Sequence, residues 1–194
     1  MSEPSRPIRI VVLCGTNRPG AQTRRLAAHV HASYAAVEGV EAQLLDLADL
    51  PVELLAPGSY AQKPAGFQAF AEAVLKADGL VVLSPEYNGS FPGVLKLFID
   101  MLPFPVAFER RPVAFIGLAA GRWGALRAIE QLQGVFGYRN AFMFPNRVFV
   151  PGVGDALDAD GGPKDGATRA MIAAQVRDFV VFARQLAPLR PGQA

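Results

Sequence analysis

Three short segments of this chain concentrate residues able to hold a small charged or planar molecule. The first reads Gly15-Thr16-Asn17-Arg18-Pro19-Gly20-Ala21-Gln22-Thr23. It leads from an apolar run into a helical pattern and so ends at a helix N-terminus. Unpaired N–H groups and the helix dipole favour an anion there. Thr16 and Thr23 add hydroxyls, Gln22 an amide and Arg18 a permanent positive charge. Such a set suits a terminal phosphate. Neither the GxxxxGK[ST] loop nor the GxGxxG fingerprint is present. The plainer alternative is a strand–helix turn carrying a solvated arginine.

The second segment reads Ser84-Pro85-Glu86-Tyr87-Asn88-Gly89-Ser90-Phe91-Pro92. Its two prolines stiffen it and Asn88-Gly89 turns it. A rigid loop with a tyrosine and free backbone polar groups suits a planar heterocycle; the alternative is a connection whose Tyr87 packs on a helix edge. The third segment reads Ala119-Ala120-Gly121-Arg122-Trp123-Gly124. Its glycines permit close approach of a ligand to the backbone, with Arg122 and Trp123 placed to flank it. An ordinary helix entry with a surface tryptophan is the competing reading.

The elements that must position these loops alternate along the chain. Ile8 to Cys14 is an apolar run broken only by Arg9, and Gly79 to Ser84 and Pro112 to Ala119 are similar. Such runs mark strands buried on both faces. Val40 to Asp46 alternates, and Ala141 to Val150 is a strand that Pro145 and Asn146 distort or split. Helical periodicity covers Gln22 to Val37, a stretch opened by Pro64, Pro92 to Leu102, Arg122 to Phe136 and Ala167 to Leu186. Pro151 to Gly166 reads as a long polar surface loop. Strand–helix alternation of this kind predicts an α/β fold: a flavodoxin-like three-layer sandwich, with a five-stranded parallel sheet in the order 2-1-3-4-5. Crossovers are expected to be right-handed. Ligands in open parallel sheets bind beyond the carboxyl ends of the strands, where all three segments fall.

Composition narrows the function classes. At 194 residues, 51% hydrophobic and 19% charged, the chain suits one globular domain over residues 1–194. A net charge of +2, without a long basic run, argues against a nucleic-acid partner. The polar N-terminus, Met1 to Pro7, precedes too short an apolar run for a signal peptide or membrane span. The single cysteine, Cys14, excludes an internal disulfide and suits a reducing, cytoplasmic location. At the end of a buried strand it reads as a small hydrophobe. His29 and His31 lie two apart and so point to different helical faces. Asp155, Asp158, Asp160 and Gly161 are spaced like part of a calcium loop, but Ala156 and Ala167 stand where that motif needs acids.

At the three segments the sequence resembles the NADPH-dependent FMN reductase family, which includes quinone, chromate and azo-dye reductases. The most specific match is Pro85-Glu86-Tyr87-Asn88-Gly89-Ser90, followed by Pro92-Gly93-Val94-Leu95-Lys96 and Asp100. Gly15-Thr16-x-Arg18 is similar to the family's G[ST]xR phosphate loop, and Gly121-Arg122-Trp123-Gly124-Ala125 to its glycine-rich segment after strand four. The similarity runs from Ile8 to about Leu186.

The resemblance implies an FMN-containing oxidoreductase that takes hydride from NADPH or NADH and passes electrons to a quinone, free flavin, chromate or azo compound. It implies that the first loop holds the FMN phosphate, chiefly through Thr16, Arg18 and Thr23, with Gly15 and Gln22 also in the cofactor site. Pro85, Glu86, Tyr87, Asn88 and Gly89 would lie along the isoalloxazine, with Gly121, Arg122 and Trp123 on its other side. Ala21 stands where the family often has serine. No acid, base or metal ligand is nominated, since the flavin carries the hard chemistry. Family members pair through the helices after strands three and four, which implies a homodimer or homotetramer. The crowding of Phe91, Phe98, Met101, Leu102, Phe104 and Phe108 is read as apolar surface available for that pairing. The runner-up functions are a flavodoxin-type electron carrier and an FMN-binding module without turnover.

Overall fold

The computed structural model describes residues 6–189, so the first five residues of the polar N-terminus lie outside the described part. Strands β1 (Ile8–Cys14), β2 (Val40–Asp46), β3 (Gly79–Pro85) and β4 (Pro112–Leu118) form a parallel sheet. The fifth position beside β4 is shared by two short strands, β5 (Phe142–Met143) and β6 (Val148–Val150). The order is 2-1-3-4-5, with β6 also paired to β4. The break falls at Pro145 and Asn146, as the sequence suggests. The buried Gln175 amide patches it by donating to the carbonyls of Asn146 at 2.7 Å and Phe115 at 3.2 Å.

Every residue of β3 and β4 is buried, because helices cover both faces of the sheet. One layer holds α1 (Gln22–Ala35) and α5 (Gly166–Leu186). Leu26, Val30, Tyr34 and Phe179 pack there on Ile10, Val12 and Val81. The opposite layer holds α2 (Gln68–Lys76), α3 (Gly93–Met101) and α4 (Leu126–Tyr138). Phe70, Phe98, Ile129 and Phe136 pack there on Leu13, Val82 and Phe115.

Four expectations need correction. Helix α4 starts at Leu126 and not at Arg122, because Gly124 and Ala125 both take positive φ, 55° and 72°, which no helical turn accepts. Pro64 opens only a 3-10 turn over Ala65–Phe67, and the α-helix begins at Gln68. The stretch 151–166 is not simply a surface loop: Leu157 and Gly161 to Pro163 are buried, and Leu157 bridges Pro163. Finally, Phe98, Met101, Leu102 and Phe108 are buried inside the monomer, at 0%, 3%, 3% and 2% exposure. The chain's own core takes up that crowded segment, leaving only Phe104 largely exposed and Phe91 partly so.

The strand ends are in step at the carboxyl edge. Cys14 pairs with Leu83 across β1 and β3, and Pro85 with Leu118 across β3 and β4. The three segments therefore leave adjacent strands at one edge of the molecule.

Candidate functional site

The loop after β1 starts with a close approach. The Gly15 N–H donates to the Leu83 carbonyl at 2.9 Å, and a Cβ on Gly15 would lie 2.6 Å from that oxygen and 2.9 Å from Leu95 Cδ2. Only glycine fits without displacement. Thr16 is buried, and its Oγ1 accepts from the Arg18 N–H at 3.2 Å. The chain then turns through Gly20, at φ +68°, into α1. Ala21 provides no side-chain cap, and the first turn carries no acid. The N–H groups of Gln22 and Thr23 donate to no backbone carbonyl, and the Thr23 side chain is buried beneath them. The result is an uncapped, positive helix end. Arg18 is exposed and has no carboxylate partner among the described residues. The Gln22 amide oxygen accepts from Arg25 at 2.9 Å, and Arg24 pairs with the buried Asp46 at 3.0 Å.

The loop after β3 is a reverse turn. Tyr87 and Ser90 exchange backbone hydrogen bonds of 2.8 and 3.1 Å, with Asn88 at φ 52° and Gly89 at φ 79°. Two successive positive φ values define a type I′ turn, the geometry that Asn-Gly accepts most readily. Helix α4 clamps it. Gln131 donates to the Gly89 carbonyl at 3.1 Å and accepts from the Ser90 hydroxyl. One turn earlier, Arg127 donates two N–H groups to Glu86 Oε1, the Nε bond measuring 2.8 Å. The Glu86 side chain is 7% exposed, and its second oxygen, Oε2, is buried without a partner. Pro85 and Pro92 are buried at the two ends of the loop. The N–H groups of Glu86 and Asn88 make no backbone bond.

Thr16 Oγ1 and Tyr87 Oη lie 3.0 Å apart in a hydroxyl–hydroxyl hydrogen bond. This bond ties the first loop to the second. Tyr87 therefore does not simply pack on a helix edge; its hydroxyl reaches the anion-type loop.

In the loop after β4, Gly121, Arg122 and Trp123 are all exposed. The Arg122 guanidinium stands 4.7 Å from the centroid of the Trp123 ring. Behind them the backbone is held tightly, since a Cβ on Gly117 would come within 2.6 Å of the Gly124 carbonyl. Cys14 lies below the site and is 1% exposed; burial foremost, and then the Asp46 charge, push its thiol up to about 12. No group of three or more His, Cys, Asp or Glu side chains able to hold a metal ion occurs among the described residues.

The structure thus brings all three segments to one edge. Arg127 and Gln131, which secure the second loop, escaped the sequence reading. Their spacing of four on one helix face was the available signal.

The chain is similar to the NAD(P)H-dependent FMN reductase of Pseudomonas aeruginosa, 29% identical over 185 residues, covering 92% of this chain and 97% of that protein. It is 28% identical to a 2-hydroxy-1,4-benzoquinone reductase of a Burkholderia species, covering 91% and 97%. Among solved structures, FerB, a flavoenzyme NAD(P)H:(acceptor) oxidoreductase of Paracoccus denitrificans, superposes with a TM-score of 0.75 at 24% identity, covering 92% of this chain and 98% of that one. The sequence pattern of the NADPH-dependent FMN reductases matches residues 8–155, and the chain belongs to that family.

Proposed function

We propose that this protein binds FMN at the carboxyl edge of its sheet and uses it to pass electrons from NADPH or NADH to a small acceptor, such as a quinone, free flavin, chromate or azo compound. The observation that carries this reading is the joined pair of loops. An uncapped helix end, with an Arg18 that has no partner among the described residues, is tied by the Thr16–Tyr87 bond to a rigid turn that leaves the Glu86 and Asn88 N–H groups without a backbone partner. One phosphate and one planar ring, joined by a short linker, match that layout.

The residues present fit FMN. Arg18, the N–H groups of Gln22 and Thr23 and the Thr23 hydroxyl suit a phosphate, and Gly15 lets the loop that carries them start close against β3. Thr16, with its hydroxyl already engaged twice, shapes the loop as much as it offers a donor. The free N–H groups of Glu86 and Asn88 suit the polar edge of a flavin. Gly121, Arg122 and Trp123 stand at the rim. When bound, FMN supplies the hydride-accepting chemistry, while the protein orients the reactants and tunes their surroundings. Ala21 withholds one hydroxyl from the phosphate loop.

The Burkholderia relative acts on a hydroxybenzoquinone by its name, which supports quinones as a first acceptor class. Release of the cofactor by denaturation, with chromatography, and NADPH oxidation with a quinone test the reading together. Finding FAD, or no flavin uptake, would overturn it.

We further propose that a second copy of the chain covers the groove between α3 and α4. This groove measures about 680 Å³ and is lined by Lys96, Asp100, Phe104, Tyr138 and Arg139. Phe104 is 66% and Tyr138 78% exposed there, and a second copy would take both rings out of water. Light scattering, with Phe104→Glu as the disruptive variant, tests a homodimer or homotetramer; Met101 is too buried to serve as that probe. A reducing, cytoplasmic location suits the lone buried thiol. No helix among the described residues is long and apolar enough to cross a membrane.

A further inference from the structure

Among the described residues Arg122 is a cation without a carboxylate, whereas most of its charged neighbours are paired. Arg24 answers Asp46 and Arg127 answers Glu86, and Arg25 is held by the Gln22 amide and the Asp158 carbonyl. At this edge only Arg18 and Arg122 are exposed without any hydrogen-bond or ion-pair partner for the guanidinium among the described residues. Arg18 lies on the loop after β1 and Arg122 on the loop after β4, with β3 between them. Two strand spacings separate those strands, about 10 Å. On the reading above, the FMN phosphate sits at the end of α1 beside Arg18, on the far side of β3 from Arg122. FMN carries a single phosphate, so on the reading above Arg122 is left to meet an anion of the other reactant.

Its setting says which anion. The guanidinium lies 4.7 Å from the centroid of the Trp123 indole, a contact that favours this orientation of its planar fork of donors. Such a fork suits a phosphate, which it can grip with two N–H groups at little entropic cost. Trp123 is 54% exposed, and an open indole surface is a platform on which a purine stacks. A purine and a phosphate on the same nucleoside meet in the adenosine half of NADPH, where the 2′-phosphate adjoins the adenine. The pyrophosphate is common to NADH and NADPH and gives no discrimination. The 2′-phosphate is the group that separates them.

We propose that Arg122, braced on Trp123, recognises the 2′-phosphate of NADPH and makes this protein prefer NADPH to NADH. The assignment rests on the reductase reading above. It makes Arg122 a specificity-determining residue beside the flavin site.

The test uses two nucleotides that differ by that phosphate alone, 2′,5′-ADP and 5′-AMP, titrated calorimetrically into FMN-loaded protein. Wild type binds 2′,5′-ADP more tightly by about tenfold or more, the range of a charge-assisted phosphate contact. Arg122→Ala brings the two affinities together, while Arg122→Lys, a point charge without the fork, keeps part of the difference. Trp123 is the only tryptophan, so quenching of its emission by 2′,5′-ADP in wild type locates the ligand at this loop. Equal affinities in wild type, or a difference that survives Arg122→Ala, overturns the assignment. The kcat/KM ratio for NADPH over NADH gives the second readout and falls in the alanine variant. If FMN-loaded wild type oxidises both nicotinamides with equal kcat/KM, the assignment fails and the reductase reading stands. If it oxidises neither, both fail.

Discussion

Replacing Gly15 with alanine tests how the site is built. The added Cβ would lie 2.6 Å from the Leu83 carbonyl oxygen and 2.9 Å from Leu95 Cδ2. Leu95 can shift, but the carbonyl belongs to the central strand β3 and also accepts the Gly15 N–H at 2.9 Å. To clear the methyl group, the start of the first loop must lift from β3. The lost hydrogen bond contributes about 0.5–1.5 kcal/mol, and overpacking at a tight site costs roughly 1–3 kcal/mol. Together they destabilise the fold by about 2–4 kcal/mol. For a domain of this size that lowers the melting temperature by roughly 5–15 °C. The displacement also carries Thr16 away from Tyr87 and so loosens the join between the two loops. FMN affinity is therefore expected to fall along with stability. Thermal melts of the apoprotein and fluorescence titration with FMN measure the two effects separately. An alanine variant with unchanged melting temperature and unchanged affinity would refute the packing account of this loop. A loss of stability without a loss of affinity would show that the loop's position does not govern binding.

Three further outcomes follow from the same geometry. Arg18→Ala removes an unpaired guanidinium from the uncapped end of α1 and weakens FMN binding by about tenfold or more; an unchanged dissociation constant would show Arg18 to be merely solvated. Tyr87→Phe deletes the hydroxyl that reaches Thr16, a bond contributing about 0.5–1.5 kcal/mol, and lowers FMN affinity roughly two- to twelvefold; no change would mean that the two loops are held independently. Cys14, its thiol pushed up to about 12 by burial, stays almost wholly protonated at neutral pH. It resists thiol reagents in the native protein and reacts once the chain is unfolded. Rapid labelling of the native protein would contradict its placement.

Most of the architecture is written locally. Runs such as Leu80 to Leu83 and Val113 to Ile116 are apolar throughout because both faces of their strands are covered, and that pattern survives without knowledge of the fold. The break in the last strand is legible because Pro145 cannot donate to a ladder. The start of α4 is not legible. Ala125 at φ 72° is a conformation that alanine does not choose; tertiary packing of Gly124 against Phe149 and Gly117 imposes it. The short 3-10 turns between Leu47 and Phe67 carry too little periodicity to read. The crowded aromatic segment misled for a related reason, since sequence density of apolar residues does not tell which surface buries them. Within the site, the loop residues stand out by type, whereas their supports do not. Arg127 and Gln131 read as ordinary polar positions of an exposed helix face, and their partners lie 41 and 42 positions away.

A flavin reduced by a nicotinamide at this edge and reoxidised by a small acceptor is the centre of the proposed function. The most direct measurement mixes FMN-loaded protein with NADPH, and separately with NADH, under anaerobic conditions while following the visible flavin absorbance. A quinone is then added. Rapid loss of that absorbance is expected with at least one nicotinamide, with full return on adding the quinone and repeated turnover when both are supplied. A protein that holds FMN firmly yet shows no bleaching with either nicotinamide would contradict the proposed function and leave a flavin carrier or binding module in its place.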